Sequence, residues 1–240
     1  MKIKFGQVAK FDSLPGDNLK GIIMKEVVRL IDKFVRKKQA DRSQGLNILL
    51  DFLIGMFDVK LHQKKHGWID AVQKANEEEP EITKIMLIWM DKVHKEMEKG
   101  KWLDFFGELY EELYKSRGKA SALGQFFTPP HVCDLMSNLE FTCRGTIGDS
   151  ACGSGRMILA QASISNFSRD NFYIGEDLDL VSVKMCALNL MIHGCRGVVR
   201  QHDALTDPNT FSYGFRINDI RYPIPHPLYS LTKLPFMKRR

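Results

Sequence analysis

The chain has 240 residues, 44% of them hydrophobic and 27% charged, with a net charge of +6 and a pI of about 9.0. Such a composition excludes wholesale disorder and allows one large domain or two small ones. The basic balance suits a nucleic-acid partner but is shared by many ordinary proteins. The five cysteines, Cys133, Cys143, Cys152, Cys186 and Cys195, form no Cys-x-x-Cys pair and are odd in number. Free thiols in a reducing compartment are therefore expected. Lys2 and Lys4 lead into Phe5-Gly6 without the apolar core of a signal peptide, and the longest apolar run, Ile85 to Met90, is too short to span a bilayer. The expectation is a cytoplasmic protein with no membrane partner.

In chain order, the turn cluster Leu14-Pro15-Gly16-Asp17-Asn18 precedes apolar residues at helical spacing, Ile22, Ile23, Val27, Leu30, Ile31 and Phe34. Arg36-Lys37-Lys38 supply cations suited to that helix's C-terminus. Leu46 to Phe57 reads as a second, almost wholly apolar and hence buried helix. Residues 60–67 are basic, and Lys64 and Lys65 there are candidates for contacting DNA; a solvated helix end is the plainer reading. A short helix from Trp68 to Ala75 precedes Glu77-Glu78-Glu79-Pro80, which opens the next helix. Its stripe of Ile82, Ile85, Met86, Trp89, Met90, Val93 and Met97 reads as core, and Gly100 stops it. Trp102 to Leu113 makes another helix, followed by the basic linker 115–121, where Arg117 and Lys119 are further DNA candidates.

From Gln125 the period changes. Pro130 opens a helix carrying Val132, Leu135, Met136 and Leu139. Strands centred on Ile147, Ile174 and Val198 alternate with helices at 155–164 and 180–193, which predicts a parallel sheet covered on both faces. After Asp203 the pattern decays, and only Leu228-Tyr229-Ser230-Leu231 is weakly strand-like.

The chemistry is concentrated in the stretch Asp149-Ser150-Ala151-Cys152-Gly153-Ser154-Gly155, between the Ile147 strand and the apolar run Met157 to Ala160. That is a strand, a glycine-rich turn and a helix start, whose free N–H groups suit an anionic ligand group. Arg156-Met157 in place of Lys-Ser/Thr excludes a P-loop, and Ile158 stands where a dinucleotide fingerprint needs its third glycine. Around it lie Gln125-Phe126-Phe127-Thr128-Pro129 upstream, and Gly175-Glu176-Asp177-Leu178-Asp179 and His202-Asp203-Ala204-Leu205 downstream. An acid at the end of the second strand can take both hydroxyls of a ribose.

These four motifs, in this order over residues 102–205, resemble the S-adenosylmethionine pocket of the adenine-N6 DNA methyltransferases, above all the modification subunit of type I restriction systems. The resemblance implies S-adenosyl-L-methionine as cofactor. It places Ala151, Cys152, Gly153, Ser154 and Gly155 around the methionine end, with Asp149 ending the first strand and Gln125, Phe126, Phe127, Thr128 and Pro129 closing from the other side. It makes Asp177, rather than its neighbour Glu176, the ribose acid. Asp203 would receive the cofactor's adenine amine, beside Ala204, with Leu178 and Leu205 flanking the ring. The implied fold is α/β: a helical N-terminal bundle, residues 1–118, then an incomplete Rossmann-like methyltransferase domain, residues 119–240. The implied partners are DNA and a specificity subunit, a second methylase subunit or a second copy of the chain.

One part of the family pattern is missing. Active members end the fourth strand in Asn-Pro-Pro-Phe/Tyr or Asp-Pro-Pro-Tyr, which holds the target amine and stacks on a flipped base. The chain contains no such tetrapeptide. Asp207 and Asn218 are the nearest groups of the right type, and neither adjoins paired prolines, so no catalytic residue and no metal ligand is assigned. Two readings remain: a methyltransferase active through a partner or a substitute residue, or a non-catalytic module that binds cofactor, DNA or another subunit.

Overall fold

A computed structural model describes residues 16–65, 67–115, 127–139, 144–207, 210–221 and 226–232. Helices fill the first part: α1 (Gly16–Lys38), α2 (Arg42–Met56), α3 (Val59–His62), α4 (Gly67–Glu78), α5 (Pro80–Met97) and α6 (Phe105–Lys115). Then come α7 (Pro130–Leu139), β1 (Thr146–Asp149), α8 (Arg156–Ile164), β2 (Phe172–Asp177), α9 (Leu180–Ile192), β3 (Gly197–Gln201), β4 (Tyr213–Ile217) and β5 (Leu228–Thr232).

Local signals account for most of these boundaries. Asp41 caps α2 in a reciprocal capping box with Gln44. Pro80 stands in the first turn of α5, and Gly100, at φ +70°, ends the turn that follows it. Asp179 caps α9 by accepting the N–H of Ser182.

The five strands form one sheet in the order β1-β2-β3-β4-β5. β1, β2 and β3 run parallel, whereas β4 is antiparallel to both of its neighbours. The sheet is therefore mixed and not the purely parallel one that strand–helix alternation predicts. Sequence reasoning missed β4 altogether. The strand is five residues long with Gly214 at its second position and a turn-forming Asn218 just after it, which hides the alternation of Tyr213, Phe215 and Ile217.

The β1-α8-β2 and β2-α9-β3 crossovers step the same way along the sheet, and α8 and α9 pack against each other. With right-handed crossovers both helices lie on one face. On the other face Ile174, Val198 and Arg200 are half-buried.

α9 lies between the sheet and helices α2 and α6, and that position explains its nearly uniform apolar character. Its Lys184, buried, escapes an unpaired burial by meeting Asp51 of α2 at 2.6 Å. Buried side chains from Ile23 in α1 to Leu228 in β5 belong to one continuous core, with Trp89, Phe105 and Phe106 at its centre. At the far end the backbone N–H of Leu228 donates to the carbonyl of Phe57, so β5 is tied to the corner after α2. No helix among the described residues is long and apolar enough to cross a membrane.

Candidate functional site

The parallel strands end at Asp149, Asp177 and Gln201, on one edge of the sheet, where open α/β sheets bind their ligands. The loop from β1 to α8 folds over that edge. Its Cys152 N–H donates to the carbonyl of Glu176 at 2.8 Å and its Gly153 N–H to Oδ2 of Asp177 at 2.9 Å. Oδ1 of Asp177 meanwhile accepts the N–H of Asp179 at 2.9 Å. Ala151 N–H is held by Oδ1 of Asp149 at 3.0 Å. Gly153 (φ +52°) and Gly155 (φ +89°) both occupy the left-handed region that favours glycine. A Cβ on Gly153 would also stand 2.9 Å from the Phe127 ring, and one on Gly155 would stand 2.8 Å from Sγ of Cys186.

A cavity of about 190 Å³ opens beside this loop, lined by Phe127, Thr128, Asp149, Ala151, Cys152, Gly153, Arg156, Met157, Asp177 and Ser182. Seven of the residues singled out from sequence are thus brought together. Gln125 and Phe126 lie outside the described residues, as do Arg117 and Lys119. Pro129 precedes α7, its carbonyl accepting the N–H groups of Val132 and Cys133. Gly155 gives α8 its start, and Ser154 is fully buried and faces away from the cavity. Leu178 is exposed, its carbonyl tied to the Gln201 side chain. Asp203, Ala204 and Leu205 form an exposed turn beyond β3, in which Oδ1 of Asp203 accepts the N–H of Leu205. They share the strand-end edge with the cavity but do not line it. Lys64 and Lys65 are exposed in the turn between α3 and α4, also outside its lining.

The neighbouring acid is engaged differently. Glu176 pairs with Arg200, whose Nε lies 2.5 Å away, and with Nδ1 of His202 at 3.2 Å. Its carboxylate is thereby held away from the cavity, which it does not line.

Sequence reasoning missed the network that holds the cavity's walls. Asp104, directly before α6, is buried and accepts from four groups at once. Its Oδ2 takes Ser154 Oγ at 2.6 Å and Arg156 Nε at 2.7 Å; its Oδ1 takes Asn189 Nδ2 at 2.6 Å and Gly107 N at 2.8 Å. Arg156 extends the network by donating to the Thr128 carbonyl at 3.0 Å and to Glu111 at 3.3 Å, with its guanidinium 5.5 Å from the Phe127 ring centre. Tyr110 of α6 packs edge-to-face with that ring, the ring centres 5.5 Å apart. The acid pair raises the Arg156 pKa further even though burial opposes it. Arg156 had served only to exclude a P-loop, and its position right after Gly155 was the available signal. Asp104 had one too, standing just ahead of an apolar helix.

The residues that reach into the strand-end edge suit the implied cofactor. No side chain caps the N-terminus of α8, so its first N–H groups are available to a carboxylate. The Phe127 ring approaches Gly153 too closely for a Cβ, so the loop backbone itself lines the cavity there. A cavity of 190 Å³ accommodates part of a ligand of that size, and the rest would extend over the open strand ends towards Leu178 and Asp203. No group of three or more His, Cys, Asp or Glu among the described residues is arranged to hold a metal ion.

Asn218, one of the two candidate substitutes for the missing tetrapeptide, is not at this edge. It follows β4 at the opposite end of the sheet, buried, with φ +49°. Its Nδ2 donates to the carbonyls of Met191 and Cys195, both at 2.8 Å, and so closes the end of α9. Asp207 is exposed beyond β3, and its carbonyl accepts from Nε2 of His202 at 3.0 Å.

A family model for N-6 DNA methylase matches residues 101–225. The methylase subunit of the type I restriction enzyme MjaIX from Methanocaldococcus jannaschii is 29% identical over an alignment of 124 residues, and the match covers 46% of this chain and 22% of the relative. The chain therefore matches only about a fifth of that relative's length. No solved structure matches the chain. The family match spans more than half of the chain, and on that ground the chain belongs to the N-6 DNA methylase family.

Proposed function

We propose that the chain binds S-adenosylmethionine at the strand-end edge and forms the cofactor-holding part of an adenine-N6 DNA methyltransferase of the type I restriction-modification kind. The observation that carries this reading is the Asp177–Gly153 hydrogen bond, which sets a strand-end acid and a glycine-rich loop around one cavity. Asp177 would hold the ribose hydroxyls; the engagement of Glu176 by Arg200 and His202 supports that choice. The uncapped start of α8 and the loop around Gly153 would hold the methionine end, with Phe127 and Thr128 closing over it. Asp203 would meet the adenine amine. The bound cofactor supplies an electrophilic methyl group on its sulfonium.

Methyl transfer to adenine also needs a group that holds the exocyclic amine and turns its lone pair towards that methyl. Asn218 is spent on closing α9, which removes one of the two substitutes and supports a chain that binds cofactor without transferring methyl by itself. DNA and a further restriction-modification subunit are the proposed partners, with Lys64 and Lys65 as phosphate contacts. Titration calorimetry with S-adenosylmethionine, followed by a methyl-transfer assay on duplex DNA, tests both halves. Binding without transfer is expected. Robust adenine methylation by the lone chain would overturn the second half, and absence of cofactor binding the first.

A further inference from the structure

A second charged cavity lies away from the loop. It measures about 340 Å³ and lies at the other end of the strands, where β2 and β3 begin and β4 ends. Phe172 opens β2, Gly197 opens β3, and Ile217, paired with Gly197, closes β4. Strands of five or six residues separate this end from the cofactor edge by roughly 15–20 Å.

Its lining combines positive charge with apolar surface. Arg196, Arg216 and Arg221 line it together with a single carboxylate, Asp219. Asp219 is bound mainly by Arg221, through Nε at 3.1 Å and the terminal nitrogen at 2.6 Å, and only loosely by Arg216 at 3.5 Å. These partners hold its carboxyl down to about 2, so the acid stays ionised and cancels one of the three cations. The buried Nε of Arg196 has no hydrogen-bond partner among the described residues, and its guanidinium lies 5.7 Å from the centre of the Phe172 ring. A buried guanidinium nitrogen left without an acceptor is costly and calls for one. Ile220, exposed at the rim, adds an apolar surface next to the cations.

We infer that this cavity is a second ligand site, taking the phosphate of a nucleotide on Arg196 and Arg216 and resting the base against Phe172 and Ile220. Guanidinium groups suit phosphate oxygens because they donate in a planar fork, and an arginine over an aromatic ring adds a stacking surface. The nucleotide can be free or part of a nucleic-acid strand; both present the same phosphate. This site does not rest on the methyltransferase reading, since none of its residues touches the loop cavity.

The test uses the full chain and a pyrimidine ligand, which avoids any adenine pocket at the other edge. Thymidine 5′-monophosphate, a short single-stranded oligothymidylate and a polyglutamate peptide are titrated calorimetrically against the wild type, Arg196→Ala, Arg216→Glu and Asp177→Ala. Melting temperature confirms that each variant is folded, and Arg196→Lys, which keeps the charge but not the fork, serves if Arg196→Ala is not. Expected is at least tenfold weaker binding of a thymidylate ligand in the Arg196 and Arg216 variants and none of that loss in Asp177→Ala. Stronger binding of the oligomer than of the monomer identifies a strand as the source, and equal binding a free nucleotide. Thymidylate binding unaffected by either arginine variant would overturn the site. So would no thymidylate binding at all, or binding of polyglutamate alone, which would make the cavity a protein-docking surface.

Discussion

The carboxylate of Asp177 accepts the backbone N–H of Gly153 at 2.9 Å, across the gap between β2 and the loop that follows β1. A residue chosen from sequence to hold a ribose thus also moors the loop that would hold the methionine end. Replacing Asp177 by Ala should weaken S-adenosylmethionine by about 1.5–3 kcal/mol or more, the range for hydrogen bonds to a charged group. Calorimetric affinity equal to wild type would remove Asp177 from the ribose.

Gly153→Val tests the loop itself. A branched side chain at φ +52° is strained, at a cost of about 1–3 kcal/mol, and its Cβ meets the Phe127 ring. Cofactor binding should be lost, with a lowered melting temperature. Normal binding would reduce the loop to a structural turn.

Asp104→Ala should be the most damaging single change around the site. It leaves the Arg156 guanidinium, 4% exposed, without its principal counter-charge and removes the acceptor of Ser154, Asn189 and Gly107. Breaking such a buried pair costs about 3–5 kcal/mol. Glu111, the other partner of Arg156, has a side chain 41% exposed, and Glu111→Ala should cost at most about 1 kcal/mol. Urea denaturation of the two variants measures the difference; equal losses would contradict the hierarchy.

His193 gives the fold a pH dependence. It is buried, donates from Nδ1 to the Asn189 carbonyl at 2.6 Å, and accepts the Leu103 N–H on Nε2 at 3.2 Å, so it is neutral. Burial lowers its pKa from 6.5 to about 4. The unfolded chain therefore binds a proton that the folded one refuses as pH falls below 6.5. The contribution is whole above pH 6.5, is lost towards pH 4, and amounts to on the order of 3 kcal/mol. His226 and His62, also shifted down by burial, act in the same direction. Glu26, Glu81 and Asp219, held down to about 2 by their cationic partners, titrate at lower pH. His193→Gln should flatten the fall in melting temperature between pH 6.5 and 4; an unchanged slope would place it elsewhere.

The sequence was most readable where a local rule decides the structure. Helices α1, α2, α4 and α5 and strands β1 to β3 follow from apolar spacing, caps and prolines. The loop was readable because Asp149, Gly153 and Gly155 are needed for its backbone. What stayed hidden depends on contacts far apart in the chain. Asp104 acquires its role only when α6 meets residues 154, 156 and 189, and nothing around Asp104 specifies those partners. β4 was hidden because its pairing with β3 outweighs a weak strand propensity, and Asn218 because a turn-forming residue gives no hint that it closes the end of a buried helix.

The hydrogen bond from Leu228 to the carbonyl of Phe57 also sets an order of events during synthesis. The corner after α2 emerges from the ribosome early, and its partner strand only after α9, β3 and β4 have been made. Pairing across so long a stretch of chain raises the contact order and slows folding. Until β5 arrives, β4 presents an open edge to solvent, and an open edge recruits other strands. Refolding of the intact chain should therefore end in a slow step that registers on β5, and aggregation during expression should track the time spent before it.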